Sequence, residues 1–235
     1  MNKKVAIITG ASTGIGKHIS VELSKKEYIV ILISRSKDKL KSVKKIIDKN
    51  GHDCIIIESD ISKESSVDEI FKKIKSFNNI DILINNAGLG IFNKIENISN
   101  SDWDVQINTN LKGSFMMTRN IIPMMKKNKN GKIVFINSVA GLKPYPYSSA
   151  YVASKFGLRG FASSIREELR KDNIKVISVH PGAIDTPFWN EIEGDFPREK
   201  MLSSMDVSKS IVNSILSRNN LVNEEIVIRS IVGDL

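Results

Sequence analysis

The sequence is poor in the residues that build metal centres and covalent cross-links. Cys54 is its one cysteine, which excludes an internal disulfide and a cysteine-built metal site. His18, His52 and His180 are its three histidines, far apart and without a spaced acidic partner, so no metal centre is expected. No apolar run approaches the roughly 18 residues that a membrane-spanning helix needs. The opening MNKKVAIITG is too short in its apolar part to serve as a secretory leader and reads as a buried strand. The compartment expected is the reducing cytoplasm. No Pro/Gly-rich linker or internal repeat divides the chain, and one domain over residues 1–235 is expected.

What the chain carries in excess is positive charge, formally +9. The lysines of SKDKLKSVKKIIDK and KESSVDEIFKKIK are interleaved with apolar residues and acids. That is the solvated face of an amphipathic helix rather than a patch converging on a polyanion. Neither a nucleic acid nor a membrane is therefore an expected partner.

Short β-branched runs begin at Val5, Ile29, Cys54, Asp81, Lys132, Lys175 and Glu225. Their continuous hydrophobicity suits strands covered on both faces of a parallel sheet. Helical patterns over 14–26, 36–49, 63–77, 101–127, 148–172 and 206–218 alternate with them. The alternation predicts an α/β fold, a doubly wound seven-stranded parallel sheet with helices on both faces. In such sheets ligands bind beyond the carboxyl ends of the strands, so the chemistry should follow the apolar runs.

TGASTGIG, Thr9 to Gly16, follows the first run and opens the first helix. Gly10 permits a sharp turn, Gly14 a close approach of phosphate to backbone, and Gly16 close packing of helix on strand. The helix amino terminus offers unpaired N–H groups to a pyrophosphate. Ser34 and Arg35 end the second run where a carboxylate would favour NAD. A planar arginine fork suits a 2′-phosphate instead, so NADP(H) is expected over NAD(H). In YVASK, Tyr151 and Lys155 stand four apart on a helical pattern and share a face. An ammonium beside a phenol is expected to lower a pKa that is otherwise about 10. Tyr145 and Tyr147 are nearby rivals, but only Tyr151 has lysine at the fourth position.

TGASTGIG, NNAG at Asn85–Gly88, NLKG at Asn110–Gly113, INS ending at Ser138, YVASK, and the PG of Pro181–Gly182 occur in this order along the whole chain. Together they resemble the classical short-chain dehydrogenase/reductase (SDR) family. The resemblance implies a Rossmann fold and an enzyme that moves hydride between a nicotinamide cofactor and a carbonyl or alcohol. It implies Tyr151 as general acid/base, Ser138 as donor to the substrate oxygen, and Lys155 on the nicotinamide ribose. It implies Asn110 on a water-linked proton path to Lys155. Tyr151 and Lys155 are thus implied to touch the cofactor as well as the substrate. Ser12, Thr13 and Ile15 would complete the glycine turn around the cofactor. Asp60 and Ile61 would meet adenine, with a helix cap as the competing role for Asp60. Asn86, Ala87 and Gly88 would line the adenosine path; Pro181, Gly182, Ile184 and Thr186 would surround the nicotinamide. A homodimer or homotetramer built on the helices of 101–127 and 148–172 is also implied.

Two departures bear on these expectations. Ser12 and Thr13 stand where many NADP-preferring relatives carry a basic residue, and the tail NEEIVIRSIVGDL lacks the glycine-rich close of carrier-protein-linked reductases. The tail looks more like the branch acting on small aldehydes, 3-hydroxy acids or serine-like alcohols. A 3-oxoacyl-carrier reductase and a non-catalytic NADP-binding sensor are the alternatives; a sensor is expected to have lost the tyrosine or the lysine. Segments 89–97, 139–147 and 187–204 should form the substrate pocket, the last as a lid, with Phe188 and Trp189 either covering substrate or packing on the body. Lys143 and Arg198 are the candidates there for holding a carboxylate. Ser148 and Ser149 read as helix caps.

Overall fold

A computed structural model describes residues 3–192, 194, 196–217 and 221–233. Glu193 and Asp195 of the expected lid, and Arg218 at the end of the last expected helix, lie outside the described residues.

The β-branched runs form strands β1 (Val5–Thr9), β2 (Ile29–Ser34), β3 (Cys54–Glu58), β4 (Ile82–Asn85), β5 (Gly131–Ile136) and β6 (Ile174–Pro181). Helices α1 (Gly14–Ser24), α2 (Lys37–Lys49) and α3 (Glu64–Lys73) follow the first three strands. The fourth crossover holds α4 (Asn100–Gln106) and α5 (Ser114–Asn128), and α6 (Ser149–Leu169) follows β5. The chain then forms two short strands, β7 (Ile184–Asp185) and β8 (Leu202–Ser203), before α7 (Ser204–Ile215) and β9 (Glu225–Ile228). The main sheet is seven-stranded, parallel throughout, in the order β3-β2-β1-β4-β5-β6-β9.

Alternation along β1 shows why both faces are apolar. Val5 and Ile7 enter one core with Met116, Ile121, Leu158 and Ile165 of α5 and α6. Ala6 and Ile8 enter the other with Ile19, Leu40, Val43 and Ile211 of α1, α2 and α7. A strand buried on both faces has no polar side to expose, hence the unbroken runs. Strand order reverses beside β1, which pairs with both β2 and β4, so the loops after these strands part and open a cleft.

Two expectations are corrected. The helical pattern over 101–127 is broken, because Ile107–Gly113 is a π-helical segment between α4 and α5. The wider turn brings Gly113 against the loop after β3, where a Cβ would lie 3.0 Å from the Ile61 carbonyl oxygen. The segment 187–204 is not simply irregular: β8 pairs with β7 in a second sheet. Among the described residues no helix is long and apolar enough to cross a membrane.

Candidate active site

The cleft at the strand reversal has a volume of about 650 Å³. Its first wall is the turn between β1 and α1. Gly10 and Gly14 have φ of +63° and +52°, a region where a Cβ is strained. A Cβ on Gly10 would also lie 2.8 Å from the Ala87 Cα. Gly16 is required for a related reason: its Cβ would lie 2.4 Å from both the Gly10 carbonyl oxygen and the Asn86 side-chain Nδ2. The Asn86 side chain donates to the Thr9 and Gly10 carbonyls at 2.9 and 3.1 Å. Thr9 Oγ1 accepts from the Asn86 and Ala87 backbone N–H groups. The turns after β1 and β4 are therefore one welded unit. The first turn of α1 contains no acidic residue, which leaves the positive helix end uncompensated.

The floor is made by β5 and α6. Ser138 follows β5 and accepts from the Ala140 N–H at 3.1 Å; its hydroxyl also hydrogen-bonds the Tyr151 phenol. Lys155 is 4% exposed. Its Nζ lies 5.6 Å from the Tyr151 ring centroid and donates to the Ile136 carbonyl at 3.1 Å. The expected pairing on one helical face is present. Its expected electrostatic consequence is not: burial pushes the phenol up to about 12, against the pull of Ser138. Burial also pushes Lys155 down to about 8, so its charge persists at neutral pH. Desolvation is the dominant cause for both groups, and the ammonium donates to the Ile136 carbonyl rather than to the phenol. Tyr147 is exposed, with φ of +61°, and its carbonyl accepts from the Asn93 N–H. Its side chain lies outside the cleft lining.

Asn110 is buried in the π-helical segment. Its Oδ1 accepts from Leu89 N–H, and its Nδ2 donates to the Leu89 carbonyl and to Ser154 Oγ, each at 2.9 Å. It thus clamps the loop after β4 to α6, while Lys155 itself reaches Ile136. A Cβ on Gly88 would lie 3.1 Å from Asn110 Oδ1 and 3.7 Å from Lys155 Nζ, so this glycine keeps the passage between them narrow but open. Two buried residues were missed by the sequence reasoning. Gln106 Oε1 accepts from the Ile91 N–H, and its i, i+4 relation to Asn110 is the signal that would have found it. His180, directly before Pro181, has Nδ1 3.0 Å from the Ser138 carbonyl. A carbonyl only accepts, so Nδ1 carries the proton.

Ser12, Thr13, Gly14, Ile15, Ser34, Arg35, Asp60 and Ile61 line one end of the cleft. Asn86, Ala87, Gly88, Ser138, Tyr151, Lys155, Pro181, Gly182, Ile184 and Thr186 line the rest. Gly16 and Asn110 stand behind the wall. Asp60 Oδ1 accepts from the Ser62 N–H and hydroxyl rather than capping α3, whose N-cap position is Lys63. Lys39, which spacing from the strand did not single out, joins Arg35 on the lining from the first turn of α2.

The lid is pinned. Arg198 donates from Nε to Asp185 at 2.7 Å, from Nη2 to the Thr186 carbonyl at 2.9 Å, and to Asn190 at 3.3 Å. Its fork is spent, which corrects its candidacy for a substrate carboxylate. Lys143 sits 5.1 Å over the Tyr145 ring. Ser148 occupies the N-cap of α6 without a capping bond; its hydroxyl donates back to the Tyr145 carbonyl.

A family model described as short chain dehydrogenase matches residues 4–195. The chain is 34% identical to the sepiapterin reductase of Chlorobaculum tepidum, covering 99% of this chain and 98% of that one. It is 33% identical to a 3-oxoacyl-[acyl-carrier-protein] reductase of Staphylococcus epidermidis, with 89% and 86% covered. Among solved structures it resembles an alcohol dehydrogenase of Thermococcus sibiricus complexed with 5-hydroxy-NADP. The TM-score there is 0.91 at 28% identity, covering 99% of this chain and 98% of that one.

His180 gives this site a pH signature. Burial holds its pKa below the ordinary 6.5, so the folded state favours the neutral ring. The stability this confers is complete above the unfolded value and is lost as pH falls through the folded one. Thermal melts from about pH 7 down to about pH 5 should drop more steeply for the wild type than for His180→Gln, which has no proton to gain. Parallel melting curves would contradict the assignment.

Proposed function

The chain belongs to the short-chain dehydrogenase family, and we propose that this oxidoreductase uses the cleft to interconvert a carbonyl and an alcohol with NADP(H). The observation that carries the reading is the convergence of Ser138, Tyr151 and Lys155 on the floor of a cleft whose far end is an acid-free helix terminus. The residues suit a dinucleotide. Left-handed glycines leave the backbone of the first turn bare for a pyrophosphate, with Ser12, Thr13 and Ile15 around it. Arg35, with Lys39 beside it on the lining, would meet a 2′-phosphate, which favours NADP(H) over NAD(H). Asp60 and Ile61 would take adenine, and Asn86 to Gly88 the adenosine path. Pro181, Gly182, Ile184 and Thr186 would close on the nicotinamide, and Lys155 on its ribose. The NADP derivative named for the Thermococcus sibiricus enzyme supports this choice.

When bound, the reduced cofactor supplies the hydride. Tyr151 gives its proton to the carbonyl oxygen as the carbon is reduced, and takes it back in the reverse direction. Ser138 donates to the same oxygen and offsets the charge building there. Lys155, still charged at neutral pH, stabilises the phenolate left behind and passes it a proton, which a water path past Asn110 would return to the lysine. A phenol pushed up to about 12 stays protonated at neutral pH, so it holds the proton that reduction needs but supplies no phenolate for oxidation. The oxidative direction therefore leans on the positive charge of the oxidised ring. A homodimer or homotetramer belongs to the same reading: Phe115 on α5 and Phe156 on α6 are exposed.

Two measurements test the assignments. Tyr151→Phe should lower kcat by about 10²–10⁴-fold, followed by nicotinamide absorbance, while NADPH still raises the melting temperature. Undiminished turnover would mean the wrong acid has been named. Arg35→Ala should weaken NADPH binding relative to NADH by about 10–100-fold, the worth of a charge-assisted contact. A wild type that binds NADH as tightly as NADPH would overturn the cofactor choice.

A further inference from the structure

The two ends of the cleft differ in chemistry. Among the described residues, the charged side chains on its lining are Arg35, Lys39, Asp60 and Lys155. The first three follow β2 and β3, whereas Ser138 follows β5, three strand spacings from β2 along the sheet. That separation is about 14 Å. Beyond Tyr151 the lining is aromatic. Phe92 lies 5.5 Å from the Tyr151 ring and 6.2 Å from Phe188, edge to face in both cases. Phe188 is 5.8 Å from Tyr151 and 5.6 Å from Trp189, and Trp189 is 4.6 Å from Phe196.

This wall is built rather than accidental. Trp189 Nε1 donates to the Ile184 carbonyl at 3.0 Å, which fixes the indole. The loop bearing Phe92 is clamped by Asn110 and Gln106. Gly90 makes room for the rings: a Cβ there would lie 2.8 Å from both Phe92 Cε1 and Phe188 Cζ. Arg198, carried by the same lid, is engaged by Asp185 and the Thr186 carbonyl and has no fork to offer a carboxylate.

We infer that the substrate is a flat, uncharged aryl carbonyl or its alcohol, held by Phe92, Phe188 and Trp189 against Tyr151. The inference rests on the dehydrogenase reading and narrows it. Ring edges and faces recognise another ring by offset and edge-to-face contact. A carboxylate placed among them would lose its hydration without gaining a partner. The 3-hydroxy acids and serine-like alcohols that the tail suggested are thereby disfavoured.

Binding separates this inference from the reaction itself. 1-Phenylethanol and mandelate differ only in that a carboxylate replaces a methyl group; 1-cyclohexylethanol keeps the approximate size of the first but removes its planar aromatic π system. Calorimetric titration of each into NADPH-loaded protein should give 1-phenylethanol at least about tenfold tighter than mandelate and tighter than 1-cyclohexylethanol. Phe92→Ala and Phe188→Ala should each shrink both ratios. Mandelate binding as tightly as 1-phenylethanol, no binding of either, or ratios unmoved by both substitutions would overturn it. If NADPH itself fails to bind, the cofactor reading fails separately, and the same comparison is made on the free protein. If 1-phenylethanol binds selectively without being oxidised by NADP⁺, the pocket class stands and the reaction is what fails.

Discussion

The site depends on one costly arrangement: a lysine ammonium taken out of water beside a half-buried tyrosine phenol, with a backbone carbonyl accepting from the ammonium. Lys155 is held by the Ile136 carbonyl at the carboxyl edge of β5. That carbonyl faces the cleft only because β5 ends there and the chain turns away through Ser138. The buried charge is tolerable because the carbonyl satisfies it and because its pKa falls only to about 8, short of neutralisation at physiological pH. The neighbouring phenol rises to about 12. The protein's own groups thus hold the pair as acid and cation, and the charge of an oxidised nicotinamide is what would make the phenol give way.

The rest of the fold serves to keep this pair still. The π-helical segment turns Asn110 onto Leu89 and Ser154, tying the loop after β4 to the helix that carries Tyr151. His180 ties the loop bearing Ser138 to β6 through the Ser138 carbonyl. Asn86 and Thr9 weld the first glycine turn to the loop after β4. Apart from the Asn110 bond to the Ser154 hydroxyl, these side chains spend their hydrogen bonds on backbone. Backbone ties of this kind set the position of a catalytic group more tightly than packing alone.

Much of this was legible in the sequence because parallel strands buried on both faces leave an unmistakable apolar signature, and because the sharp turns after them need glycine. The runs from Val5, Ile29 and Cys54 became β1, β2 and β3 with little change, and Tyr151 and Lys155 came to share one face. What was not legible has physical causes. A π-helical insertion leaves the apolar rhythm of 101–127 nearly intact, so Ile107–Gly113 passes for ordinary helix. Two-residue strands such as β7 and β8 are too short to show a period. Arg198 looked available because its partner Asp185 stands thirteen positions away across an irregular segment. The direction of the Tyr151 shift needed burial, and burial is a property of the assembled fold. His180 and Lys39 were unreadable for the same reason: only the fold shows one buried behind Ser138 and the other beside Arg35.

The most direct test of this account is an ultraviolet difference titration of tyrosinate, wild type against Tyr151→Phe, with and without NADP⁺. Without nucleotide, the account predicts no ionisation specific to Tyr151 up to about pH 10, because burial holds its phenol above the free value. With NADP⁺ bound, a tyrosinate signal that the substitution abolishes should emerge below about pH 10. Ionisation of Tyr151 near neutral pH in the nucleotide-free protein would contradict it: the lysine alone would then acidify the phenol, and burial would not govern the site.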